Sequence, residues 1–95
     1  MATMGGAVAL GLSHEIGSIE SGKWADLACV DLSAINSQPV YDPVSQLVYT
    51  ARAEQVSDVW IAGRHQVDNG ELAHIDTAAL LAHCAEWQNR IASTL

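Results

Sequence analysis

Ninety-five residues hold at most one domain, and 49% of them are apolar against 16% charged, so the chain is too apolar for a disordered tail. Four basic residues face eleven acidic ones, for a net charge of −7, and Lys23, Arg52, Arg64 and Arg90 form no basic run. That balance argues against nucleic acid and anionic membranes as partners.

The opening segment, Ala2 to Leu10, reads as a short helix with Gly11 as its stop. Gly5 and Gly6 weaken it by about 1 kcal/mol each relative to alanine. Such a helix needs a neighbour to lean on. The start MATMGGAVALGL lacks a basic leader, and no stretch approaches the ~20 apolar residues of a membrane span. A cytoplasmic protein is expected.

Gly17 to Ile19 reads as a short strand, Glu20 to Lys23 as a turn, and Ala25 to Leu32 as a longer strand. Leu27 and Cys29 alternate with Ala28, Val30 and Leu32, which makes both faces of that strand apolar. Residues 33–43 are loop. Asp42-Pro43 has the form of an N-cap followed by proline at the first helical position, and Val44, Leu47, Val48 and Ala51 recur at helical spacing.

A hairpin is expected across Ala62-Gly63-Arg64, joining Asp58 to Ile61 with His65 to Val67, and Asn69-Gly70 marks a second tight turn. Asp76 or Thr77 caps the last helix. Along it Leu80, Cys84, Trp87, Ile91 and Leu95 make one apolar stripe. Four or five strands that are apolar on both faces cannot satisfy one another in 95 residues, so the sheet calls for partners outside this sequence.

Little chemistry is visible. His14, His65, His74 and His83 form no H-x-H or i, i+4 pair, and nothing in their spacing makes them converge on a metal. The acids read as solvated charge. Ser13-His14-Glu15 is contiguous, which does not suit a nucleophilic triad, and GGAVALG lacks the lysine of a phosphate loop. Cys29 and Cys84 read as buried free thiols, and Trp24, Trp60 and Trp87 as core or interface packing. No catalytic, cofactor-binding or metal-ligating residue is expected in this chain.

The order ATMGGAVALGL, IGSIESGKWADLACVDL, QPVYDPVSQLVYTA and VSDVWIAGRHQVDNGEL resembles the C-terminal end of the amidohydrolase superfamily. Within it the chain is most similar to the TRZ/ATZ-type hydrolases, and among these to the 5-methylthioadenosine/S-adenosylhomocysteine deaminases. The resemblance covers residues 2 to about 92. It implies an α+β fold: the C-terminal part of a composite β-sandwich, with the barrel itself absent. Residues 1–12 would be the last barrel helix. Residues 13–75 would be a share of the sandwich, with an inserted loop and short helix at 33–53. Residues 76–95 would be a C-terminal helix packed on the outside.

The resemblance also implies that the metal ligands and catalytic glutamate lie on barrel strands absent here. The parent would bind zinc or iron and deaminate an adenine-type nucleoside, and this chain would be scaffold. Its expected partners are the missing N-terminal and barrel portions, with self-association through open sheet edges. Two alternatives stand beside this: a sister hydrolase of triazines, guanine or another aminated heterocycle, and a stand-alone dimerising module.

Overall fold

The computed structural model describes all 95 residues. Helix α1 (Met4–Ala9) is followed by strand β1 (Leu27–Val30), helix α2 (Pro43–Tyr49), strands β2 (Val56–Ile61), β3 (Arg64–Asp68) and β4 (Glu71–Leu72), and helix α3 (Thr77–Thr94). The strands form one antiparallel sheet in the order β1-β2-β3-β4. No helix is long and apolar enough to cross a membrane.

Local signals decide most boundaries. Gly11, at φ +71°, ends α1: its N–H donates to Val8 O at 3.1 Å while Leu12 N–H reaches back to Ala7 O at 2.8 Å. This is the paired closure that a left-handed residue permits after a helix. Asp42 caps α2 by accepting from Val44 N at 3.0 Å, with Pro43 in the first turn. Asp76 caps α3 through Ala79 N at 3.1 Å. Both hairpin turns place two residues at positive φ, Ala62 and Gly63 at 52° and 78°, Asn69 and Gly70 at 49° and 80°. That is the turn whose twist matches a right-twisted ribbon.

Two expectations fail. Gly17 to Ile19 is not a strand, and β1 is half the length expected. Residues 15–24 instead form a knot of turns packed on α1. Gly17 adopts φ +97°, and a Cβ there would stand 2.8 Å from Ala7 Cβ and 3.0 Å from Met4 Sδ. Lys23 curls back to donate to Ile16 O at 3.4 Å and Ser18 Oγ at 2.7 Å, and it pairs with Glu20 at 3.1 Å. Trp24 N–H then closes on Glu15 O at 2.9 Å. The Lys23 side chain and the Glu15–Trp24 closure fold the segment back on itself, so Gly17 to Ile19 does not run alongside β1.

The second failure concerns burial. Only Ala7 and Ser37 are buried. Cys29 and Cys84 are free but exposed, not buried, and Trp24 and Trp87 are more than half exposed. The side chains have the polarity of a core, but no part of this chain packs over them. The accessible surface is 7661 Å², about 2,400 Å² more than a compact monomer of this mass exposes. The radius of gyration is 18.0 Å where about 13 Å is usual.

Two glycine substitutions test the account of α1 and the knot. Gly17→Ala should destabilise by about 1–3 kcal/mol, because it combines a disallowed φ with a backbone-level clash. Gly5→Ala, with open space around it, should stabilise by about 0.5–1 kcal/mol. At roughly 4–8 °C per kcal/mol for a chain of this size, thermal melts should separate the two in opposite directions.

Candidate functional site

The densest group of donor atoms lies on the β2–β3 ribbon, and backbone irregularity creates it. Val59 pairs with Val67 but Trp60 pairs with His65, so Gln66 is an extra residue on β3. In a regular strand His65 and Asp68, three apart, would point to opposite faces. The bulge cancels one alternation and brings both to the face that carries Asp58 and Trp60. Donor atoms of Asp58, His65 and Asp68 then lie within 4.8 Å of one another.

His65 Nε2 and Asp58 Oδ1 are 3.0 Å apart, and the His65 ring stacks on Trp60 at 4.6 Å between centroids and 6° between planes. Asp58 Oδ1 also accepts from Asn69 N at 3.3 Å. The hydrogen bond from His65, with further ones from Ser57 and the Asn69 N–H, holds the Asp58 carboxyl below the usual carboxylate range. Sequence spacing does not reveal this convergence, because a bulge leaves no mark on periodicity. The one available signal is the hairpin itself, which makes Asp58 and His65 cross-strand neighbours.

The other histidines stay apart. His74 accepts from Arg64 Nε at 3.2 Å, His83 sits 3.5 Å from Glu86 on α3, and His14 lies in the turn between α1 and the knot. No two imidazoles share a cluster, so the histidine-rich donor set of a catalytic metal centre does not match the residues present here. The hairpin group offers a single imidazole and two carboxylates on a partly exposed ribbon, with His65 and Asp58 paired to each other. Ser13-His14-Glu15 likewise makes no hydrogen bond among its own side chains.

A second polar centre fixes the 31–55 segment. The Gln55 side-chain amide donates to Asp31 O and to Ser37 Oγ, each at 2.9 Å, and accepts from Asn36 Nδ2 and Arg52 N, each at 2.9 Å. Both protons and both lone pairs are used, the full capacity of the group. The segment displays Ile35, Tyr41 and Tyr49 at 92%, 91% and 83% exposure. A largely apolar cleft of about 740 Å³ opens between α1 and the sheet, lined by Ala7, Leu10, Trp24, Leu27 and Trp60 among others. The arrangement is suited to contact, with the free thiol of Cys29 and the carboxylate of Asp26 among its lining residues.

The hairpin pair carries a pH signature. Folded Asp58 titrates below its unfolded counterpart, so the unfolded chain takes up the proton first as pH falls. Its stabilisation is complete above the ordinary carboxylate range, near pH 4, and is lost as pH drops through the folded value. Asp58→Asn should therefore flatten the acid limb of a plot of melting temperature against pH and leave the neutral region parallel to the wild type.

Comparison with known proteins places these features. Residues 1–65 match the amidohydrolase family. A 5-methylthioadenosine/S-adenosylhomocysteine deaminase of Teredinibacter turnerae is 42% identical over 91 residues, which is 96% of this chain and 21% of that protein. A crystal structure of an adenosine deaminase from Xanthomonas campestris with bound zinc superposes with a TM-score of 0.85 at 54% identity, over 97% of this chain and 21% of that one. An atrazine chlorohydrolase from Arthrobacter aurescens, solved with zinc, gives 0.78 at 31% identity, over 90% and 19%. The chain thus spans about a fifth of the length of the relatives it matches. Over that span, sequence and fold agree: the chain belongs to the amidohydrolase family.

Proposed function

We propose that this chain is the C-terminal, non-catalytic part of a metal-dependent amidohydrolase that deaminates an adenine-type nucleoside such as 5-methylthioadenosine or S-adenosylhomocysteine. The observation that carries the reading is the excess of accessible surface, about 2,400 Å² over a compact monomer. It coincides with a match to only a fifth of each relative. In this reading residues 1–12 are the last helix of a barrel, 13–75 the C-terminal share of a β-sandwich, and 76–95 a terminal helix. The metal, zinc or iron, belongs to the barrel. Nothing on this chain supplies its ligands.

What the chain contributes is shape. The apolar cleft beside α1, lined by Trp24, Leu27 and Trp60, gives the barrel a surface to rest against. The outer strands β1 and β4 leave a free edge each, where the N-terminal share of the sandwich adds or, failing that, a second copy. The likeness to an atrazine chlorohydrolase favours, as second reading, a sister hydrolase acting on another aminated or chlorinated heterocycle. Substrate contacts in barrel enzymes lie on barrel loops, so this chain does not separate the two.

Complementation tests the reading. The Xanthomonas campestris relative, truncated to omit the part this chain matches, should recover zinc-dependent ammonia release from adenine nucleosides when co-expressed with this chain. Neither piece alone should do so. Ammonia release by this chain alone, or full activity of the truncated partner without it, would overturn the assignment.

A further inference from the structure

The carboxylates of the β2–β3 ribbon lack a basic partner. The ion pairs of the molecule are Lys23–Glu20, His65–Asp58 and His83–Glu86, so no lysine or arginine pairs with Asp58 or Asp68. The Asp68 carboxylate makes no hydrogen bond either, whereas that of Asp58 is bonded to His65 and Asn69. Yet donor atoms of Asp58, His65 and Asp68 lie within 4.8 Å of one another. Two carboxylates that close repel each other, in a chain whose net charge is already −7.

The donors are also held by supports outside the group. The His65 ring lies flat on Trp60, 4.6 Å between centroids and 6° between planes, which orients it independently of Asp58. Asp58 Oδ1 keeps the hydrogen bond from Asn69 N, at 3.3 Å, when the imidazole withdraws its own. Asp68 is set on this face by the extra residue Gln66, and its backbone pairs with Glu71. Ligands fixed by their surroundings in this way need little ordering when an ion arrives. His65 Nε2 and Asp58 Oδ1 stand 3.0 Å apart. Two ligands at that separation, each ~2.1 Å from one ion, subtend about 90° at it, the angle between neighbouring positions of an octahedron.

We propose that Asp58, His65 and Asp68 form a binding site for one divalent transition-metal cation. The ion takes the place of the proton that His65 and Asp58 share, and the imidazole stays neutral with its proton at Nδ1. Ligands of one such ion lie at most ~4.2 Å apart, so the 4.8 Å spread closes by a small swing of Asp68, whose carboxylate nothing holds. Water fills the remaining positions on the exposed side. An imidazole nitrogen among carboxylate oxygens selects zinc or nickel over magnesium, which prefers oxygen alone. Bound there, the ion ties β2 to β3 across the bulge, where the ladder is interrupted. The site concerns this ribbon only, and it stands or falls separately from the complementation result.

Equilibrium dialysis of the 95-residue chain against Zn²⁺ alone should show one site per chain with a micromolar Kd. Zn²⁺ should shift the ring signals of His65 in nuclear magnetic resonance spectra and leave those of His14, His74 and His83 in place. His65→Gln and Asp68→Asn should each weaken binding by at least ~10-fold, since losing a ligand costs no less than losing a group that supports one. Asp68→Asn removes no hydrogen bond, so its circular dichroism should match the wild type while its affinity falls. His83→Gln, which removes the other imidazole–carboxylate pair, should leave binding unchanged. A roughly hundredfold excess of Mg²⁺ should not displace the zinc. The site is refuted by an absence of binding below ~1 mM, where association would be weaker than about −4 kcal/mol. Undiminished binding in either ribbon variant, loss of binding through His83→Gln, or ready displacement by Mg²⁺ refutes it equally.

Discussion

A polypeptide that buries two side chains out of ninety-five has almost no core to fix its shape, so directional contacts must do so. Here they are few and local. Gly17 presses against Ala7 and Met4, and Lys23 ties Ile16, Ser18 and Glu20 into one knot. Asp26 reaches across to cap the hairpin at Ala62 N, 2.7 Å away. Gly63 N–H meets Ala25 O at 3.0 Å. These contacts run through the I-G-S-I-E-S-G-K-W-A-D-L segment and connect α1, β1 and the β2–β3 turn. Without them the sheet and the first helix would share no fixed relation, because the apolar faces between them are only half covered.

This division of labour explains why the chain keeps a defined form while exposing so much apolar surface. Backbone turns and side-chain amides need no partner protein to be satisfied; Leu, Trp and Ile do. The Gln55 amide completes all its bonds inside residues 31–55 and holds Ile35, Tyr41 and Tyr49 outward on a firm base. Presenting large side chains on a prearranged segment lowers the ordering cost when a neighbour arrives.

Much of the fold was legible in the sequence where a single residue type controls a boundary. Asp42-Pro43, Asp76, Gly11, Gly63 and Asn69-Gly70 each act within a few residues, and each stands where expected. What escaped depends on contacts distant along the chain. Gly17 to Ile19 has strand composition, but Lys23 and α1 claim its neighbourhood. The approach of His65 and Asp68 to Asp58 follows from one extra residue in β3. Cys29 and Cys84 have the setting of buried thiols, yet both are exposed, because burial depends on what packs over a residue and nothing in this chain does so at either position.

The Asp58–His65 pair has a directional effect on assembly. Removing water from a carboxylate and an imidazole is costly unless every lone pair and proton finds a replacement. The Asp58–His65 side of that face therefore resists being covered, whereas its neighbour Trp60, which also lines the cleft beside α1, gains from it. In the proposed assembly a neighbouring surface would be steered by what must stay hydrated as much as by what it can bury, and a handful of polar atoms on one ribbon would bias which way round it sits.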